Sequence, residues 1–161
     1  MRWLAFPAAL LAAPLAAQDA PAAAPVYDEA WHNRQQSALA ELSAEDGWQV
    51  LPGGLVWRRI AGDGSGAHPT VADTVTVHYA GTFLDGTGFD SSYDRGEPAT
   101  FPLGRLIKAW QLAIPQMGVG DTIELYAPAD LAYGPQGRGP IPGNATLVFK
   151  VELLGIAPAA Q

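Results

Sequence analysis

Residues 75–95 read Val-Thr-Val-His-Tyr-Ala-Gly-Thr-Phe-Leu-Asp-Gly-Thr-Gly-Phe-Asp-Ser-Ser-Tyr-Asp-Arg. Val75, Val77 and Tyr79 alternate with Thr74, Thr76 and His78, the period-2 pattern of a strand with one face buried. Asp85-Gly86 then predicts a tight turn, because glycine reaches positive φ without a Cβ clash. Beyond the turn stand Phe89, Asp90 and Arg95. Two aromatic rings, a carboxylate and a guanidinium thus lie close together in sequence. The stretch contains no nucleophile–base pair and no metal-ligand cluster. A site built here binds an apolar group and works without covalent chemistry.

The chain has 161 residues, enough for one domain with a substantial core plus extensions. Its net charge of -7 argues against a nucleic-acid binder, which carries a basic stripe, and against an anionic membrane surface as partner. Cysteine is absent, which excludes disulfides, thiolate nucleophiles and zinc-thiolate centres. His32, His68 and His78 lie far apart and show no metal-ligand spacing. His78 alternates away from Val77 and Tyr79 and reads as structural.

Residues 1–17 read as a signal peptide: Arg2 supplies the positive end, and Leu4 to Ala16 form an apolar run too short to span a bilayer. Cleavage is expected after Ala17, giving a periplasmic or secreted protein whose charge changes from -7 to -8 with the loss of Arg2. Residues 18–26 form an Ala/Pro linker. Residues 27–46 predict a helix, with Tyr27, Trp31, Ala38, Leu39 and Leu42 near 3.6-residue spacing and Gly47 as its stop. The N-terminal helical unit is assigned to 27–50. Two roles are open for it, packing on the domain that follows or self-association, so both a monomer and a helix-mediated dimer are expected forms.

The main domain is assigned to 51–156, with 157–161 as a tail. A strand is predicted over Leu55 to Ala61 after a Pro52-Gly53-Gly54 turn. The Gly-rich loop from Gly62 to Pro69 lacks the following Gly-Lys-Ser/Thr and helix that a phosphate cradle needs. Residues 97–103 form a further strand. Leu106 to Ile114 form a short helix with Leu106, Trp110 and Ala113 on one face, limited by Pro115. Thr122 to Ala127 and Ala145 to Ile156 complete the strands. Between them, residues 134–144 are dense in Gly and Pro, which describes a shaped loop. One short helix among about five mostly antiparallel strands predicts an α+β domain, a curved sheet wrapped on a helix.

Val77-His78-Tyr79-Ala80-Gly81, Asp85-Gly86, Phe89-Asp90-Ser91-Ser92, Asp94-Arg95-Gly96-Glu97-Pro98, Ala132-Tyr133-Gly134, Ile141-Pro142 and Ala145-Thr146-Leu147-Val148-Phe149 occur in that order. Together they resemble the FKBP-type peptidyl-prolyl cis-trans isomerases, the macrolide-binding immunophilins, over about residues 52–156. Residues 18–50 resemble the helical leader of exported bacterial members. The resemblance implies an antiparallel five- to six-stranded half-barrel around one short helix, with an N-terminal helical extension. It implies rotation about X-Pro bonds without a metal or cofactor. Its partners would be proline-containing unfolded or nascent exported polypeptides and macrolide inhibitors.

By position, the resemblance assigns Tyr79, Phe89, Asp90 and Tyr133 to catalysis. It assigns Arg95, Phe101, Leu106, Ile107, Trp110, Ile141 and Phe149 to substrate binding. Trp110 would be the pocket floor, and Tyr79, Phe89 and Phe149 its walls. The Ile107 N–H and the Tyr133 hydroxyl would donate to substrate carbonyls, and Asp90 would pair with Arg95. The chain departs from the family pattern at Ala99, where a rim aromatic is common, at Lys108-Ala109 in place of Pro-Gly, at Pro115 and at Arg138. These departures bear on substrate preference, and they keep a second function class in view: a non-catalytic chaperone or peptide-binding module using the same pocket.

Overall fold

The decisive strand forms as its alternation predicts. In the computed structural model, which describes residues 26–43 and 47–158, β3 spans Thr74–Phe83 and buries Val75, Val77, Tyr79 and Gly81 on one face. Strand β7 (Leu147–Ala157) pairs antiparallel along its whole length, from Thr74 opposite Ala157 to Phe83 opposite Leu147. The other edge of β3 is shared end to end by two short strands. β5 (Ala99–Pro102) lies along Thr74–Val77, and β4 (Gly88–Ser91) lies along Ala80–Thr82.

The break between β4 and β5 is filled by a side chain. Ser92 is fully buried, and its Oγ accepts from the Tyr79 N–H at 2.7 Å, standing in for a ladder partner. The single helical turn α2 (Ser92–Arg95) starts there. It is capped by the Ser91 hydroxyl, which accepts from the Asp94 N–H, and closed by Gly96 at φ 74.

The remaining strands are β1 (Gln49–Leu51), β2 (Leu55–Ala61) and β6 (Thr122–Ala127), and the sheet order is β1-β2-β6-β7-β3-β4, with β5 also on β3. Seven strands therefore stand among the described residues where five or six were expected. The Pro52-Gly53-Gly54 turn folds β1 back on β2, and the edge of β3 carries two strands rather than one. The fold class is otherwise as the sequence implied: an open antiparallel sheet wrapped on a short helix, with a helix preceding it.

The helices differ from expectation at their ends. The N-terminal helix α1 (Glu29–Ser43) starts at Glu29 rather than at 27, because Asp28 stays outside it and caps it, accepting from the Trp31 N–H at 2.8 Å, while the expected end at 44–46 lies outside the described residues. Residues 49 and 50 of the unit assigned to 27–50 already belong to strand β1. Helix α3 covers Lys108–Ala113, so Leu106 and Ile107 precede it instead of forming its first turn. A 3-10 turn, Leu103–Arg105, carries the chain to that point, and a second, Ile114–Gln116, absorbs Pro115. The proposed signal peptide, most of the linker and the end of the tail lie outside the described residues.

Ala109, Trp110 and Ala113 of α3 join Leu55, Val75, Val77, Leu125, Leu147, Val151 and Leu153 in one apolar core. A fully buried residue of this kind contributes about 1.5–3 kcal/mol through removal of its side chain from water. Helix α1 is tied to this body at one polar point. The Thr146 N–H donates to Gln35 Oε1 at 2.8 Å, and the Thr146 hydroxyl donates to the Gln35 carbonyl at 2.9 Å. Among the described residues, no helix is long and apolar enough to cross a membrane.

Candidate functional site

One edge of the core is aromatic. Trp110 stands at its centre, with ring centroids 5.1 Å from Tyr79, 5.4 Å from Phe149 and 6.2 Å from Phe101. The interplanar angles lie between 74° and 86°, the edge-to-face geometry that ring quadrupoles favour. Phe89 extends the cluster outward, edge-on to Phe149 at 5.7 Å. Tyr79, Trp110, Ile141 and Phe149 are buried. Phe89, Phe101, Leu106, Ile107 and Tyr133 are half-buried and pack against them. All nine apolar positions assigned from the sequence belong to this core or pack against it, and ring contacts join five of them directly: Tyr79, Phe89, Phe101, Trp110 and Phe149.

Phe89 owes its position to Gly81. A Cβ on Gly81 would fall 2.6 Å from Phe89 Cζ and 3.0 Å from Phe149 Cε1. The glycine lets two rings lie directly on the backbone of β3.

A polar edge borders the rings. The Tyr79 hydroxyl donates to Asp90 Oδ2, Arg95 Nη1 donates to Asp90 Oδ1, and Arg95 Nη2 donates to the Tyr79 hydroxyl at 3.0 Å. Local structure explains the meeting. β4 delivers Asp90, and the one turn of α2 swings Arg95 back over the Tyr79 ring, at 5.5 Å from its centroid. Burial raises the Asp90 carboxyl, but hydrogen bonds from Tyr79 and Arg95 more than offset it and hold it below the usual value of 3.8. The same burial, together with the bond to Asp90, raises the Tyr79 phenol. At neutral pH the edge is therefore a carboxylate held by a neutral phenol and a guanidinium.

Three donors at the site have no partner among the described residues, two of them half-buried and one buried. Ile107 caps α3, and its carbonyl accepts from the N–H groups of Trp110 and Gln111 at 3.1 and 3.2 Å, while its own N–H is unpaired. The Tyr133 hydroxyl is the second. Trp110 Nε1, which is buried, is the third. Gln111 fixes the approach to Ile107, since its Nε2 donates to the Leu106 carbonyl at 2.7 Å and to that of Gly104 at 3.2 Å.

The loop bearing Tyr133 and Ile141 is closed at its base. The Asn144 N–H donates to the Gly134 carbonyl, and Arg138 and Ile141 exchange two backbone bonds of 2.9 Å across its tip. The proline- and glycine-rich composition thus yields a shaped loop. The arrangement is a water-poor aromatic surface with one charged edge and open N–H and O–H donors. It offers binding of an apolar, amide-containing group and no nucleophile.

A sequence profile of the FKBP-type peptidyl-prolyl cis-trans isomerases matches residues 66–154. The chain belongs to this family. The FKBP-type isomerase FkpA of Aeromonas hydrophila is 49% identical over 124 residues, 76% of this chain and 46% of that protein. FK506-binding protein 1 of Saccharomyces cerevisiae is 46% identical over 112 residues, 67% of this chain and 97% of that protein. The crystal structure of FkpA from Escherichia coli superposes with a TM-score of 0.76 at 40% identity, covering 80% of this chain and 60% of that one. The chain thus spans about half the length of the Aeromonas relative, while it covers nearly all of the yeast FKBP.

Three residues that support this candidate site are not singled out by the sequence: Gly81, Ser92 and Gln111. Gly81 carried a signal, since a glycine inside a strand marks a close approach. Ser92 carried none, because nothing local separates it from Ser91. Gln111 sits on the outer side of a helix read only for its apolar face.

Proposed function

We propose that this chain catalyses cis–trans isomerisation of X-Pro bonds in polypeptides. The observation that carries the reading is the Trp110-centred aromatic surface bordered by Tyr79, Asp90 and Arg95. The planar amide has partial double-bond character and a rotation barrier of roughly 18–20 kcal/mol. Trans is favoured over cis by only ~0.5–1 kcal/mol, so unfolded chains hold both forms. At the twisted transition state resonance is lost, the carbonyl is less polar and the nitrogen more pyramidal. A water-poor surface disfavours the polar planar amide relative to the twisted one. Donors placed for the rotated geometry bind that state more strongly, which is the only binding that accelerates the step. Each tenfold gain needs about 1.4 kcal/mol.

In this reading the proline ring rests on Trp110 between Tyr79, Phe89 and Phe149, with Phe101, Leu106 and Ile141 closing the sides. The Ile107 N–H and the Tyr133 hydroxyl donate to substrate carbonyls. Asp90, held by Tyr79 and Arg95, faces the carbonyl of the residue before proline. Residues 51–156 form the isomerase domain, and macrolide inhibitors compete for the same surface. Residues 1–17 direct export, which makes unfolded proline-containing polypeptides of the periplasm or exterior the substrates and gives the protein a chaperone role. Gln35 and Trp31 turn towards the domain, which favours α1 as a packing element of a monomer; deletion of 27–46 then leaves the number of chains per particle in sedimentation unchanged.

The test is exchange spectroscopy on an X-Pro peptide with the full chain, Phe89→Ala and Asp90→Ala. Both variants lose at least about tenfold in rate while remaining folded. Wild-type rates in both would remove the assignment, and a folded wild-type protein without acceleration would leave a binding module.

A further inference from the structure

A second hollow, of ≈ 480 Å³, lies between α1 and the domain. It is lined by His32, Gln35, Gln36 and Leu39 of α1, by Pro128–Asp130, and by Asn144 and Thr146. Gln35 is the informative residue. It is 7% exposed, and the Thr146 N–H, which can only donate, fixes the orientation of its side-chain amide by claiming Oε1. Its Nε2 therefore points away from Thr146 and has no partner among the described residues. It is also not among the sealed polar atoms, which are Trp57 Nε1 and Trp110 Nε1, so it opens on the hollow. Because Nε2 opens on the hollow, its two N–H donors are available to any acceptor that enters, water or ligand. A peptide carbonyl has the required chemistry.

The hollow adjoins the isomerase surface through the backbone. Asp130 and Asn144 stand near the two stems of the loop that carries Tyr133 and Ile141, and the Asn144 N–H closes that loop on the Gly134 carbonyl. Tyr133 is only three positions along the chain from Asp130. At roughly 3.3–3.6 Å per residue, the wall of the hollow is within about 11 Å of the pocket lip along the chain. A polypeptide with its proline in the pocket needs about three extended residues to cover that distance.

We propose that this hollow is a subsite for the segment of an unfolded polypeptide flanking the isomerised proline. Gln35 Nε2 donates to a backbone carbonyl of that segment. Leu39, Pro128 and Ala129 receive an apolar side chain. The donor reads main chain, so the subsite extends the grip on a substrate without demanding a sequence. The inference rests on the isomerase reading for the identity of the substrate.

The test compares two peptides with the same X-Pro core, a blocked tetrapeptide and a version extended by six residues on each side. Both are measured on the full chain, on Gln35→Glu and on Leu39→Ala. Gln35→Glu keeps an oxygen for the Thr146 N–H and replaces the donors, and Leu39→Ala removes apolar wall without touching that bond. Wild type favours the long peptide in kcat/KM by about tenfold, the gain expected from one hydrogen bond plus an apolar contact. Each variant reduces that ratio at least threefold, while the tetrapeptide rate stays at wild type and Trp31 fluorescence shows α1 still docked. Equal wild-type rates for the two peptides, or a ratio unchanged in Leu39→Ala, overturns the subsite. A ratio unchanged while Gln35→Glu alters the sedimentation mass assigns the hollow to a second copy and also overturns it. Failure on the tetrapeptide refutes the isomerase reading instead, and binding of the long peptide, read by anisotropy, then decides the subsite alone.

Discussion

Gly81→Ala tests the architecture of the pocket wall without removing any group that contacts substrate. The new Cβ would lie 2.6 Å from Phe89 Cζ against 3.4 Å for ordinary contact, so the ring must retreat by about 0.8 Å. Phe149 Cε1, at 3.0 Å, is pressed as well, but Phe149 is buried between Trp110 and Phe89 and has less room to move. Phe89 is half-buried and yields outward. The stability cost therefore lies near the low end of the overpacking range, about 1 kcal/mol. The rate cost is larger, because a misplacement approaching 1 Å can cost up to about 10²-fold. We expect kcat/KM on an X-Pro tetrapeptide to fall between tenfold and a hundredfold, with the melting temperature lowered by a few degrees. The decisive assay is a double-mutant cycle. In a Phe89→Ala background the clash with Phe89 is gone and only the milder 3.0 Å contact with Phe149 remains, so Gly81→Ala should cost less than threefold more. A Gly81→Ala protein with the wild-type rate, or full additivity with Phe89→Ala, would refute the reasoning.

Three further outcomes are expected. Ser92→Ala leaves the Tyr79 N–H buried without an acceptor and should lower unfolding free energy in denaturant titration by about 1–3 kcal/mol, with the X-Pro rate reduced as the Tyr79 ring loses its anchor. Asp121 is buried and accepts from the Gly118 N–H, the Gly64 N–H and Arg59 Nε at 2.9, 3.1 and 2.9 Å. Asp121→Asn should cost about 2–4 kcal/mol by the same assay, since it removes the charge and turns a donor towards donors. For pH, burial raises both Asp90 and Asp121, and hydrogen bonds lower each below 3.8. A depressed folded value means that the stability they contribute is present above the ordinary carboxylate value and is lost as pH falls through the folded values. The melting temperature should hold from neutrality to about pH 5 and drop below 3.8, and a loss beginning near pH 6 would contradict the assignment.

What the sequence disclosed, and what it hid, follows from the range of the interactions. β3 was legible because one buried face imposes its own alternation on Val75, Val77 and Tyr79. The apolar site residues were legible only through the order of the family motifs, since their meeting on Trp110 is a tertiary fact. The split of one edge into β4 and β5 was not legible. It depends on Ser92 reaching thirteen residues back to Tyr79, and its neighbour Ser91 has the same side chain with a different task. Helix α1 began two residues late because Asp28 serves as a cap, which an acidic first turn does not reveal by itself. β1 escaped notice because three residues show no period. Gln35 could not be read at all, because its partner Thr146 lies 111 residues away.

The central claim is that X-Pro rotation is accelerated on the surface over Trp110. Trp110 Nε1 is buried and without a partner, so its indole N–H resonance reports what settles there. The most direct measurement is an NMR titration of the full chain with an X-Pro peptide, following that resonance and the peptide's cis–trans exchange in one sample. The account predicts that the indole signal shifts with the same saturation curve that governs the exchange rate. Exchange that accelerates while the Trp110 signal stays fixed, or a shifted signal without acceleration, would contradict it.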